Sequence, residues 1–113
     1  MCGFFGLHSF EIDKSKKISL AKEAILNLNS RGPDANGIKL ADNNNLLFCH
    51  NRLSILDLSV NGNQPMISAS GNLILIYNGE IYNHLKLREK LKKENNYNYW
   101  KSTSDTETIV QAM

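Results

Sequence analysis

Cysteine is scarce in this chain, charge of one sign barely prevails, and no stretch is apolar for long. Two cysteines in 113 residues, Cys2 and Cys49, are too few for a disulfide framework and fit a reduced, cytoplasmic setting. No run approaches the roughly 20 apolar residues that cross a bilayer. The apolar start, residues 1–7, has no basic flank and meets His8, Glu11 and Asp13 at once. It therefore reads neither as a signal peptide nor as a lipoprotein acylation site. The net charge is only +2. The one long basic stretch, Lys86 to Lys93, is broken by Glu89 and followed by Glu94. That is a solvated helix face, which argues against a nucleic-acid footprint. Three histidines, His8, His50 and His84, and the two cysteines follow no zinc-ligand spacing, so no metal site is expected. A glycine-rich phosphate loop is missing too, and with it that means of binding ATP.

What is present is the makeup of an ordinary globular domain, 42% apolar and 21% charged, long enough for one small core. Cys2 to Leu7 reads as a short buried strand. Ile18, Ala21, Ile25 and Leu28 recur at helical spacing and predict a helix over Ile18–Leu28. Gly37–Leu40 and Leu46–His50 read as strands joined by the turn at Asp42-Asn43-Asn44-Asn45. Leu73–Tyr77 is an apolar run of strand length that stops at Asn78-Gly79. Leu85–Asn95 reads as an exposed helix with Asn83 as its N-cap, Asn98–Lys101 as a weak strand, and a last helix starts near Asp105. The mixture predicts an α+β architecture. Glu107 to Met113 lacks any helix-stop signal, which gives the expectation that the chain is cut short.

The N-terminus carries the first chemical signal. Removal of Met1 leaves a thiol and a free α-amine on one residue, Cys2. Ordinary thiols and α-amines titrate within about one unit of each other, so the amine can take the thiol proton near neutral pH. Alone this is weak, because most free cysteines are small buried apolar residues. Four further motifs follow in order: Arg31-Gly32-Pro33-Asp34, Arg52-Leu53-Ser54-Ile55, Asn78-Gly79-Glu80-Ile81-Tyr82-Asn83 and Ser104-Asp105-Thr106-Glu107.

Together these motifs closely resemble the N-terminal glutaminase domain of glutamine-hydrolysing asparagine synthetases, among the class II glutamine amidotransferases. Pro33 favours that version, since the glucosamine-6-phosphate synthase version has a tyrosine there. Ser30 and Asn51 depart from the residues common in relatives and leave the subfamily open. The resemblance spans residues 1–113. It implies the N-terminal nucleophile hydrolase fold, a four-layer αββα sandwich, incomplete here. The rest of that domain and an ATP- and Mg-dependent synthetase domain would lie beyond it.

The resemblance also implies roles. Cys2 would attack the carboxamide of glutamine, and Asn78 and Gly79 would form the oxyanion hole. One such donor is worth about 2.7–4 kcal/mol of barrier, although Asn-Gly is also a common hairpin turn. Arg52 would grip the α-carboxylate in bidentate geometry. Asp105 would hold the α-ammonium, with Glu80 as a second partner. Asp105 also suits a helix first turn, where Ser104 and Glu107 would make a capping box. Leu53 and Ile55 would pack around the substrate, and Arg31 and Asp34 would be scaffold beside the nucleophile. The implied partners are glutamine, the synthetase domain of the same polypeptide and a second copy in a homodimer. The implied function is release of ammonia for asparagine synthesis from aspartate. Two alternatives stand: another amidating synthetase with the same front half, or a truncated glutamine-binding or interaction fragment without catalysis.

Overall fold

A computed structural model describes all of residues 1–113. The chain runs β1 (Gly3–His8), α1 (Lys14–Leu28), β2 (Ala35–Ala41), β3 (Leu46–Arg52), a single 3₁₀ turn (Val60–Gly62), β4 (Met66–Ile67), β5 (Ile74–Leu75), α2 (His84–Asn95) and α3 (Asp105–Ala112). Helices and antiparallel sheets mix, as an α+β domain requires.

The first sheet has the order β1-β3-β2, with β3 antiparallel to both neighbours. Its hairpin turn needs left-handed backbone at Asp42, Asn43 and Asn44, with φ of 48°, 50° and 70°. Asx side chains tolerate that region better than other non-glycine residues. Register puts Phe5 opposite Cys49 and Leu7 opposite Leu47. These residues face α1, where Ala21 and Ile25 close a small core over Leu47 and Cys49. The sheet's other face lies against residues 64–77. Gly6 approaches Ile76, and a Cβ at Gly37 would meet Pro65 Cδ at 3.1 Å. β4 and β5 pair antiparallel there, and α3 packs on them.

Helix α1 begins four residues earlier than its apolar stripe predicts. Asp13 caps it by accepting the Lys16 N–H at 2.8 Å. Lys17 turns inward and is almost fully buried, its Nζ donating to the carbonyls of Ser9 and Ile12 at 2.8 and 2.6 Å. A lysine satisfied by main-chain carbonyls is invisible to hydropathy.

Four other expectations change. Only Ile74–Leu75 of the 73–77 run forms a ladder, while Met66–Ile67 is its unforeseen partner. Asn98–Lys101 is not a strand, because Trp100 stacks beneath Arg88 and the Lys101 N–H donates to Glu107 Oε1 at 2.9 Å. Asn83 precedes α2 without a side-chain capping bond. Ser104 does cap α3 by accepting the Thr106 N–H at 3.1 Å, but no capping box forms. Glu107 accepts instead from the N–H groups of Lys101 and Ser102.

Candidate active site

The two residues before β1, the end of β3, the end of the 73–77 run and the start of α3 converge on a cavity of about 330 Å³. That is the scale of a small-molecule cleft, ~300–1,000 Å³. Its wall includes Cys2, Arg52, Leu53, Ile55, Asn78, Gly79, Glu80 and Asp105. These residues come from four separate stretches of sequence.

Cys2 directly precedes β1 and is half-buried. Its Sγ accepts the Leu53 N–H at 3.3 Å and lies 3.6 Å from the Leu53 carbonyl. Arg31 Nε donates to the Cys2 carbonyl at 3.1 Å. Asp34 takes the Ser54 N–H on Oδ2 at 2.7 Å and donates its own N–H to the Arg52 carbonyl. Arg31 and Asp34 are thus outside the cavity wall but brace both chains that meet at the sulfur.

Arg52 ends β3 and is buried. Nη1 donates to the Ser59 carbonyl at 2.7 Å and to Asn63 Oδ1 at 2.9 Å, and Nη2 donates to the Asp57 carbonyl. The guanidinium is pre-oriented while still lining the cavity. Asp105, in the same wall, opens α3. Its Oδ2 accepts the Ile81 N–H at 2.8 Å, which ties the helix to the segment carrying Asn78, Gly79 and Glu80. Glu80 and Ile55 are exposed at the cavity, and Leu53 is half-buried. An arginine and two acids lining one cavity suit a zwitterion.

Asn78-Gly79 forms a bend and no hairpin turn, and it is positioned without a strand partner. β5 has ended, and two side chains hold Tyr77 instead. Gln64 Oε1 accepts the Tyr77 N–H at 2.6 Å, and His50 Nε2 lies 3.2 Å from the Tyr77 carbonyl. A carbonyl only accepts, so Nε2 carries the proton. Gln64 Nε2 in turn donates to Thr106 Oγ1 of α3 at 3.2 Å. Burial, and then the Arg52 charge, hold the His50 pKa below 6.5 despite that bond, so the ring is neutral at pH 7. Burial first, then Asp105 and Glu80, raise the Tyr77 phenol. A methyl group on Gly79 would run into that phenol ring, 2.6 Å from its Cζ.

Sequence reasoning missed Gln64, His50, Asp57, Tyr77 and Arg88. Arg88 lies in α2 and donates to Thr108 Oγ1 and the carbonyls of Ser102 and Ser104 at 2.8, 2.8 and 2.7 Å, while covering the Trp100 ring. It reads in sequence as one more exposed helix charge. No three His, Cys, Asp or Glu side chains gather to hold a metal ion. No helix is long and apolar enough to cross a membrane.

The sequence matches the glutamine amidotransferase domain family over residues 1–113. A probable glutamine-hydrolysing asparagine synthetase of Schizosaccharomyces pombe is 44% identical over 97% of this chain and 19% of that protein. Glutamine-hydrolysing asparagine synthetase 2 of Bacillus subtilis is 35% identical over 97% of this chain and 14% of its own length. Glutamine-hydrolysing asparagine synthetase B of Escherichia coli is 39% identical over 78% of this chain and 15% of itself. The chain spans less than a fifth of each of these relatives. A match across every residue, with relatives this similar, makes the chain a member of the glutamine amidotransferase domain family.

Proposed function

We propose that this chain carries the glutamine site of an amidotransferase that makes asparagine from aspartate. The observation that supports it most is the position of the Cys2 sulfur. It lies in the wall of the cavity that Arg52, Asp105 and the Asn78-Gly79 bend also line. In this reading Met1 is removed and the freed α-amine takes the thiol proton. The thiolate adds to the carboxamide carbon of glutamine, and Asn78 and Gly79 receive the oxyanion charge. The C–N bond breaks as the nitrogen is protonated and leaves as ammonia. Water then cleaves the thioester, which releases glutamate and restores the thiol. Arg52 and Asp105, with Glu80, bind the α-carboxylate and α-ammonium. Leu53 and Ile55 flank the carbon chain.

Residues 1–113 are the front of a longer glutaminase domain in this reading. That domain would take the four-layer αββα form. ATP and Mg would serve the acceptor reaction in the synthetase domain. The names of the relatives favour aspartate as acceptor over other carboxylates.

The test is Cys2→Ala in the native polypeptide. Glutamine-dependent synthesis is expected to fall at least about a thousandfold, while synthesis from added ammonia persists. Appreciable glutaminase activity in that variant would sink the nucleophile assignment.

A further inference from the structure

We propose that Asp57 is a positioning residue that fixes the distance between the two charges reading the ends of the substrate. The proposal rests on the assignment of Arg52 and Asp105 to those ends. These residues come from different elements, β3 and α3. Asp57 links them with both its main chain and its side chain. Its carbonyl accepts from Arg52 Nη2. Its carboxylate accepts the Ser59 N–H on Oδ1 at 2.7 Å. Oδ2 accepts the Thr103 N–H at 2.6 Å and lies 3.2 Å from Thr103 Oγ1. Ser59 closes the circuit, because its carbonyl accepts from Arg52 Nη1. Thr103 lies two residues before Asp105, and Ser104 between them caps α3.

Every neighbour of the carboxylate is a donor. Four bonds run through one buried residue, from the guanidinium to the start of the helix that carries the acid. Hydrogen bonds from Ser59 and Thr103 hold the Asp57 pKa down to about 2, so the group is ionised near neutral pH. Asparagine is nearly the same size but presents an NH₂ to one of two donor sides. It therefore breaks the link at Ser59 or at Thr103 and lets α3 shift relative to Arg52.

The consequence is specific to a ligand with two charged ends. Such a ligand needs both partners at one spacing, whereas a ligand with one charged end needs only one partner. The experiment measures ammonia release by native and Asp57→Asn protein from three amides. They are glutamine, glutaramate (no ammonium) and γ-aminobutyramide (no carboxylate). Expected in the variant is a rise of about tenfold in the glutamine KM with kcat within about twofold, and changes within about threefold for both analogues. An equal loss for all three amides would mean general destabilisation and overturn the proposal. Loss for glutamine and γ-aminobutyramide with glutaramate spared would overturn it too, by making Asp57 a direct ammonium contact. Native protein with no preference for glutamine over either analogue would instead refute the underlying Arg52 and Asp105 assignment. Thr103→Val, which loses the Oγ1 contacts to Asp57 and to the Leu56 carbonyl but keeps the Thr103 N–H, should repeat the pattern at smaller size. It decides the question by the same criteria if the Asp57 variant does not fold.

Discussion

Gly62 lies directly against the guanidinium of Arg52. A Cβ at Gly62 would overlap Nη2 and come within 2.8 Å of Cζ. Arg52 is therefore held from two sides, by loop oxygens that accept its protons and by a glycine that leaves it room. Gly62→Ala is expected to push the guanidinium out of line and raise the glutamine KM about tenfold, with kcat little changed. Steady-state kinetics check it, and a fall in kcat at constant KM would deny Arg52 its ground-state role. Arg52→Lys should lower the melting temperature as well as raise KM, since a lysine cannot serve three separate loop acceptors in this fork geometry.

Met1 lines the cavity and is largely exposed. While it is attached, the Cys2 nitrogen is an amide and no base. Protein that retains Met1 is expected to lack glutaminase activity and to gain it when an aminopeptidase trims the chain. Mass spectrometry of the N-terminal peptide beside the activity assay makes the comparison.

His50 should give the fold an acid limit. Its folded pKa lies below the unfolded value of 6.5. The unfolded chain therefore binds more protons once the pH falls under that value. Stability is full above pH 6.5 and declines as the pH drops toward the folded pKa. Asp57 adds a second step with the same sign, between 3.8 and about 2. Urea midpoints at about pH 7.5 and about pH 5.5 should differ in the native protein, and less so in His50→Gln. Equal midpoints in the native protein would contradict the neutral, bonded imidazole.

Arg88→Met should be costly for a surface-helix residue. Methionine can still pack on Trp100, but the carbonyls of Ser102 and Ser104 lose their donor and Glu107 loses the cation 3.9 Å away. A loss of about 2–4 kcal/mol is expected. Denaturation followed through Trp100, the sole tryptophan, reports it directly.

Local chemistry made the hairpin, α2 and α3 legible in the sequence. Asp42 to Asn45 announces its turn, and Ser104-Asp105 announces its helix. What escaped were features decided at long range. β4 is two residues long and exists only because β5 lies beside it. Lys17 sits on the inner face of α1 because carbonyls outside the helix receive it. In the cavity, the resemblance named residues that line its wall. Gln64, His50, Asp57 and Arg88 mostly touch backbone, and backbone partners leave no pattern in a sequence.

Leu53 offers the Cys2 sulfur one donor and one acceptor from the same residue. A protonated sulfur can give its hydrogen to the Leu53 carbonyl, and a negative sulfur can keep the Leu53 N–H. The proposed reaction would take the sulfur from neutral to charged and back. The strand end that carries Leu53 can follow that cycle without moving, so the chain need not reorganise each time the charge changes.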